Sequence, residues 1–322
     1  MKIVVLDGYT LNPGDLDWGP VKALGDTVIH DRTEHEEPEI LNRLQGVEIA
    51  LTNKTPLSGS VIGQLPALRY IGVLATGFNV VDIEAAASRS IPVANIPIYG
   101  TDSVAQMTFA HILDFCHKVS MHSKDVKAGG WTRSQDFCYW NTHLMELAGK
   151  TMGIIGFGRI GRRVGEVANA FGMRVLAQDI YKGETPKWPG FTWCEVDDLL
   201  AGSDFVSLHC PLTPDNNGLM NAKRLSMMKP TAFFLNLSRG PLVVDADLAQ
   251  ALENNVIAGA GIDVMEQEPP AADNPLLKAP NLNITPHIAW ATREARSRLL
   301  NTAAENIEAF LKGNPTNLVN NP

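Results

Sequence analysis

Residues 151–161 confine the fold more than any other stretch of this chain. An apolar run, Thr151–Gly156, ends in glycines at positions 156, 158 and 161, with Phe157, Arg159 and Ile160 between them. A helical stretch, Arg159–Phe171, follows at once and carries Val164, Val167 and Phe171 at helical spacing. Each glycine has a physical task. Gly156 permits the tight turn out of a strand, Gly158 lets backbone approach a pyrophosphate, and Gly161 lets the helix pack on the strand. The free N–H groups at the helix start, around Arg159 and Ile160, then face the phosphates. The next apolar run, Arg174–Gln178, closes on Asp179, about 20 residues on, where an acid accepts ribose hydroxyls. In that order the pieces predict a dinucleotide site. Asp179 repels a 2′-phosphate, and Ile180 and Tyr181 bring no cation, which selects NAD over NADP. Lys182 is the one nearby positive charge that opposes this choice.

The rest of the chain repeats the alternation. Apolar runs at Lys2–Leu6, Glu48–Thr52 and Tyr70–Leu74 form a first set, and Arg174–Gln178, Phe205–Leu208, Ala232–Leu237 and Ile257–Val264 extend the second. Continuous runs of this kind suit strands covered on both faces, as in a parallel sheet. Helical stretches such as Ala246–Asn254 separate them, so the class is doubly wound α/β. Two longer helical patterns, about 103–127 and 292–311, bracket the second set and read as crossings between two domains. The first domain is then discontinuous, 1–100 plus 290–322, around a second at 101–289. Gly183–Gly190 reads as a surface loop.

Composition excludes several classes. A net charge of −8 argues against a nucleic-acid footprint. The four cysteines form no CxxC pair, which predicts reduced thiols in the cytoplasm and no metal site. No segment reaches the roughly 20 apolar residues needed to span a membrane, and the start of the chain has no leader pattern.

Several segments together resemble the D-isomer-specific 2-hydroxyacid dehydrogenases, and most closely their glycerate dehydrogenase/hydroxypyruvate reductase group. They are Ala75–Asp82, Glu146–Thr151, the glycine loop, His209–Pro214, Asn236–Gly240, Asp263-Val264 with Glu268-Pro269, and Thr285–Ile288, in family order. The resemblance implies a Rossmann NAD-binding domain inserted in a flavodoxin-like parallel α/β substrate-binding domain, with the active site in the cleft between them. It implies an NAD-dependent reduction of small 2-keto acids to 2-hydroxy acids, or the reverse, with hydroxypyruvate and glyoxylate as the nearest substrates. Arg239, Glu268 and His287 match the family's catalytic trio.

The residues fit that chemistry. Arg239 follows a strand at the edge where open α/β sheets bind ligands, and a guanidinium there bonds a carboxylate and polarises a keto oxygen. His287 follows the strand Leu282–Thr285 and is the natural proton donor. Spacing alone does not separate Glu268 from Glu266; the family's Glu-Pro pair selects Glu268, which would orient His287 and favour its charged form. By the same resemblance the N–H groups around Thr76 and Gly77 hold the substrate carboxylate, and Lys54 reaches the substrate. Asp263 bonds the nicotinamide carboxamide, while Val104, Thr108, Cys210, Pro211 and Leu237 join the glycine loop in lining the cofactor. The aromatic run Asp136–Trp140 reads as a dimer arm, with Trp140 reaching the partner's active site, and Trp290 shapes the substrate pocket. A dinucleotide-sensing binding protein of the corepressor type and a phosphite dehydrogenase are the rival readings. A formate dehydrogenase would carry Gln in place of Glu268.

Overall fold

The computed structural model describes residues 1–322, which divide into two compact units: Met1–Gly100 with Trp290–Pro322, and Thr101–Ala289. In the first unit five strands, β1 (Lys2–Val5), β2 (Asp26–Ile29), β3 (Ile49–Thr52), β4 (Tyr70–Val73) and β5 (Val93–Ala94), form one parallel sheet in the order β2-β1-β3-β4-β5. Helices α1 (Gly19–Lys22), α2 (Glu37–Leu44), α3 (Gly59–Gly63) and α4 (Ile83–Ser88) connect them. The central strands are apolar apart from Lys2 and Thr52, because both faces are covered. Val4, Ala50, Ile71 and Val73 enter one core, and Ile3, Val5, Ile49, Leu51 and Tyr70 enter the other.

The second unit opens with α5 (Thr101–His117) and α6 (Val119–Lys127), where a single helix was expected over 103–127. Lys118 sits between them at φ 45°, ψ 42°, a left-handed conformation that a right-handed helix does not continue through. The two helices differ in kind: α5 buries nine residues, including Val104, Phe109, Ile112 and Phe115, and α6 buries none. Strands β6 (Thr151–Ile155), β7 (Arg174–Gln178), β8 (Phe191–Trp193), β9 (Phe205–Leu208), β10 (Phe233–Asn236), β11 (Gly259–Ile262) and β12 (Leu282–Ile284) form a parallel sheet in the order β12-β11-β10-β9-β6-β7-β8. The crossovers are α7 (Arg159–Ala170), α8 (Val196–Gly202), α9 (Ala222–Leu225) and α10 (Asp245–Glu253).

The last helix, α11 (Arg293–Leu311), returns to the first unit. Thr292 caps it, its Oγ1 accepting from Ala295 N at 3.2 Å. Leu299, Leu300, Ala303 and Ile307 pack against Ile3, Val5, Leu51 and Tyr70. Each fully buried Leu or Ile of this seam contributes about 1.5–3 kcal/mol. Three strands that no apolar run announced, β2, β5 and β8, lie at sheet edges: β2 and β8 are partly buried with mixed residues, and β5 is only two residues long. No helix is long and apolar enough to cross a membrane.

Candidate active site

The turn out of β6 is built on close approach. Gly156 has φ +90°, and a Cβ there would lie 2.3 Å from Cys210 N; one on Gly161 would lie 2.1 Å from Gly156 O. Only glycine fits at either place. A Cβ on Gly158 would have no atom within 4 Å, so this side of the loop is open, as phosphate binding requires. Gly158 is also the N-cap of α7 and offers no capping side chain, so the first N–H groups of the helix, at Arg159, Ile160 and Gly161, lack protein acceptors. Asp179 accepts from Phe157 N at 2.6 Å through Oδ2 and from Tyr181 N at 3.0 Å through Oδ1. A carboxylate has about four acceptor positions, so capacity is left for two ribose hydroxyls. These donors and acceptors fit a bound NAD.

The other residues expected around the cofactor differ in what they expose. Burial pushes the Cys210 thiol up to about 11, so it stays neutral at physiological pH. Pro211 is exposed, whereas Leu237 and Val104 belong to the core around β6. Thr108 is fully buried and donates its hydroxyl to Val104 O at 2.9 Å, so it packs within α5 and presents no polar group. Two residues on from β9's Ser207, His209 Nε2 lies 2.8 Å from Ser207 Oγ. Burial pushes this imidazole down to about 3, so it stays neutral while an enzyme of this kind works.

The three residues expected to react follow the ends of β10, β11 and β12. Buried Asn236, the last residue of β10, braces the following loop. Its Nδ2 donates to Arg239 O at 2.9 Å, and its Oδ1 accepts from Ser238 N at 3.1 Å and Ser238 Oγ at 3.0 Å. Gly240 packs so tightly on the next loop that a Cβ would lie 1.7 Å from Met265 O. Arg239 is thereby held with its side chain exposed; Nη1 donates to Ser238 O at 2.7 Å and no carboxylate pairs with it. Its charge is available for an anion.

His287 stands on a turn pinned by Asp263. Asp263 Oδ1 accepts from Thr285 Oγ1 at 2.6 Å and Ile288 N at 2.9 Å, and Oδ2 accepts from Ala289 N at 2.8 Å. His287 N donates to Asp263 O at 2.8 Å, and the residue adopts φ +54°. The carboxylate expected to meet the nicotinamide thus spends three of its acceptor positions on the turn. His287 Nδ1 lies 2.6 Å from Glu268 Oε2, while Glu268 Oε1 accepts from Met265 N at 3.2 Å. Glu266 is turned elsewhere, its Oε2 accepting from Asp245 N at 3.3 Å. Geometry therefore sets Glu268 beside the imidazole. Two residues that the sequence did not single out support this side: Asn236, and His111 of α5, whose Nε2 approaches Thr285 Oγ1 at 3.4 Å. Desolvation holds His111 below the usual imidazole range, against the raising influence of Asp263 and Asp114.

In the first unit, Thr76 is fixed after β4 by its hydroxyl, which donates to Ile96 O at 2.8 Å, and by its carbonyl, which accepts from Asn95 Nδ2 at 2.7 Å. The N–H groups of Thr76 and Gly77 meet no protein acceptor. Lys54 follows β3, exposed and without an acidic partner. Trp290 meets Tyr99 edge to face with ring centroids 6.0 Å apart. Trp140 lies on the surface of the second unit.

Residues 109–289 match the family model described as D-isomer specific 2-hydroxyacid dehydrogenase, NAD binding domain. The chain is 50% identical over 321 residues to a hydroxypyruvate reductase of Blautia hydrogenotrophica, covering 99% of this chain and 100% of that one. It is 40% identical over 296 residues to a glycerate dehydrogenase of Methylorubrum extorquens, covering 90% and 92%. A D-lactate dehydrogenase from Aquifex aeolicus, solved with NAD and lactic acid, superposes with a TM-score of 0.85 at 30% identity over the full length of both chains.

Proposed function

Since the chain belongs to the D-isomer specific 2-hydroxyacid dehydrogenases, we propose that it reduces hydroxypyruvate or glyoxylate to D-glycerate or glycolate, or runs the reverse. The observation that carries this reading is the imidazole of His287 held 2.6 Å from the Glu268 carboxylate. The names of the relatives support the substrate class. NADH, when bound, supplies the hydride; the residues of this chain supply orientation, charge and the proton. Arg239 bonds the substrate carboxylate and polarises the keto oxygen, and His287 delivers a proton to that oxygen. Glu268 meets the ring at Nδ1 and orients His287. The Thr76 and Gly77 N–H groups bind the substrate carboxylate, and Trp290 bounds the pocket. The test is a panel of hydroxypyruvate, glyoxylate, pyruvate and larger 2-keto acids compared by kcat/KM with NADH. Turnover of none of them would overturn the reading.

The cofactor preference follows from Asp179. Its carboxylate leaves room for two hydroxyls and none for a second anion, so NADH is expected to be used at least tenfold better than NADPH, about 1.4 kcal/mol. Asp179→Ser is expected to narrow that ratio. A wild-type kcat/KM ratio at or below one would remove Asp179 from its role.

The assembly is a two-fold homodimer, the commonest closed soluble form. α5 does not supply the surface, because Val104, Phe109 and Ile112 pack into the core of their own unit. α6 and the arm after it carry a run of exposed apolar residues: Val119, Trp131, Leu144, Trp140 at 65% exposure and Phe137 at 88%. Large apolar side chains left exposed along one segment suit an interface. Trp140 is the arm residue assigned to the partner's active site. Sedimentation at assay concentration is expected to give a dimer, and a monomer would count against the arm. Four unpaired cysteines support a cytoplasmic location.

A further inference from the structure

Asp7 follows β1 at the C-terminal edge of the first unit's sheet, and the chemistry above makes no use of it. Its carboxylate gathers three consecutive backbone N–H groups. Oδ1 accepts from Asn53 N at 2.7 Å, and Oδ2 accepts from Lys54 N at 2.6 Å and Thr55 N at 2.7 Å. Successive N–H groups pointing to one place form an anion-binding concavity, and the lengths are those of charge-assisted bonds. The same loop is tied twice more: Thr52 Oγ1 donates to Thr55 O at 2.6 Å, and Asn53 Nδ2 donates to Thr10 Oγ1 at 3.0 Å.

So dense a set of bonds fixes the backbone on both sides of one exposed side chain, that of Lys54. The Asp7 charge is directed at the amides and makes no ion pair with the ammonium, which has no acidic partner at all. β1, β3 and β4 are neighbours in the parallel sheet, so Asp7, Lys54 and the Thr76–Gly77 turn follow three adjacent strands at one edge. That edge is where open α/β sheets take their ligands. It presents the Thr76 and Gly77 N–H groups without acceptors and an unpaired cation one strand away.

We propose that Asp7 is a positioning residue, holding the Asn53–Thr55 loop so that the Lys54 ammonium is preset for the carboxylate of a small 2-keto acid. The inference rests on the assignment of the substrate carboxylate to the Thr76–Gly77 turn. An unbraced loop would have to be ordered each time substrate bound, and that cost would appear in KM.

Asp7→Asn is the test. Asn keeps the size but offers one oxygen to three donors and turns an amide group toward N–H. The variant is expected to raise KM for hydroxypyruvate about tenfold, the equivalent of one lost charge-assisted bond. Its kcat is expected to stay within about twofold, and NADH affinity, read by fluorescence titration, to be unchanged. Amide hydrogen exchange is expected to quicken at residues 53–55. Lys54→Met alone should raise KM similarly, and the double variant should be no worse than Lys54→Met. Multiplying effects in the double variant, or a fall in kcat with KM unmoved, would overturn the proposal. So would Lys54→Met with normal KM; the reductase assignment would then stand, since it fails only if the wild type turns over no 2-keto acid. If Asp7→Asn does not fold, Thr10→Val removes the Asn53 tie from the same loop. It is expected to raise KM by a smaller factor, again cancelled by Lys54→Met, and an unchanged KM there would overturn the proposal.

Discussion

His287→Ala is expected to lower kcat/KM for 2-keto acid reduction by about 10²–10⁴-fold at every pH, the usual worth of a well-placed acid–base group. NADH affinity should be retained, because the glycine loop and Asp179 stand on β6, α7 and β7 and share no bond with His287. The informative companion is Glu268→Gln. It keeps the size and a hydrogen-bonding group 2.6 Å from the imidazole and deletes only the charge. The Glu268 carboxylate holds the ring through Nδ1, and losing such an orienting partner typically costs about 10–100-fold in activity. Glu268→Gln should therefore lower kcat for reduction by about that factor, less than His287→Ala does, with NADH affinity unchanged. His209, pushed down to about 3 by burial, stays neutral and offers no substitute proton donor. Full kcat in Glu268→Gln would end the assignment of Glu268 as the partner of His287.

Arg239→Ala is expected to cost about 10²–10³ in kcat/KM, the range found when one preset donor to a developing oxyanion is removed. The loss should fall on both KM and kcat, because the guanidinium serves substrate carboxylate and keto oxygen at once. Lysine should recover little. An ammonium is a point charge without the planar fork that bonds two oxygens in parallel. The loop itself should survive the substitution, since Asn236 and the Gly240–Met265 contact hold its backbone without help from the Arg239 side chain. Steady-state kinetics on both variants decide the matter, and a loss below tenfold would leave Arg239 a bystander.

Much of the α/β framework was legible because buried parallel strands leave an unambiguous mark. Residues such as Ile3, Val5, Ile154 and Phe234 are apolar without alternation, and the structure covers them on both faces. What escaped notice lies where burial is incomplete or where one torsion decides. Asp26–Ile29 and Phe191–Trp193 are edge strands whose mixed residues carry no such mark. The break at Lys118 needs a single left-handed residue and comes without glycine or proline. The choice between Glu266 and Glu268 depends on how one turn points two similar side chains, and spacing carries no information on that. For Thr108 and Asp263 the resemblance implied contacts to the cofactor, while in the fold Val104 O takes the hydroxyl of one, and Thr285 Oγ1 with two backbone N–H groups takes three acceptor positions of the other. Asn236 acts through bonds to Ser238 and Arg239, two and three residues on, which no composition or periodicity reveals.

The glycine loop, Asp179, Arg239, Glu268 and His287 all fall within the uninterrupted stretch Thr101–Ala289, whereas Lys54, Thr76, Gly77 and Trp290 fall in the two flanking pieces. For a gene this is a convenient arrangement. One exchange of a single interior segment between two relatives would transfer the residues proposed for cofactor binding and proton transfer, with Arg239, as a block and leave the Lys54 and Thr76–Gly77 loops of the recipient in place. Selection on the flanks can then retune which acid is accepted, one residue at a time, without re-inventing the proton donor.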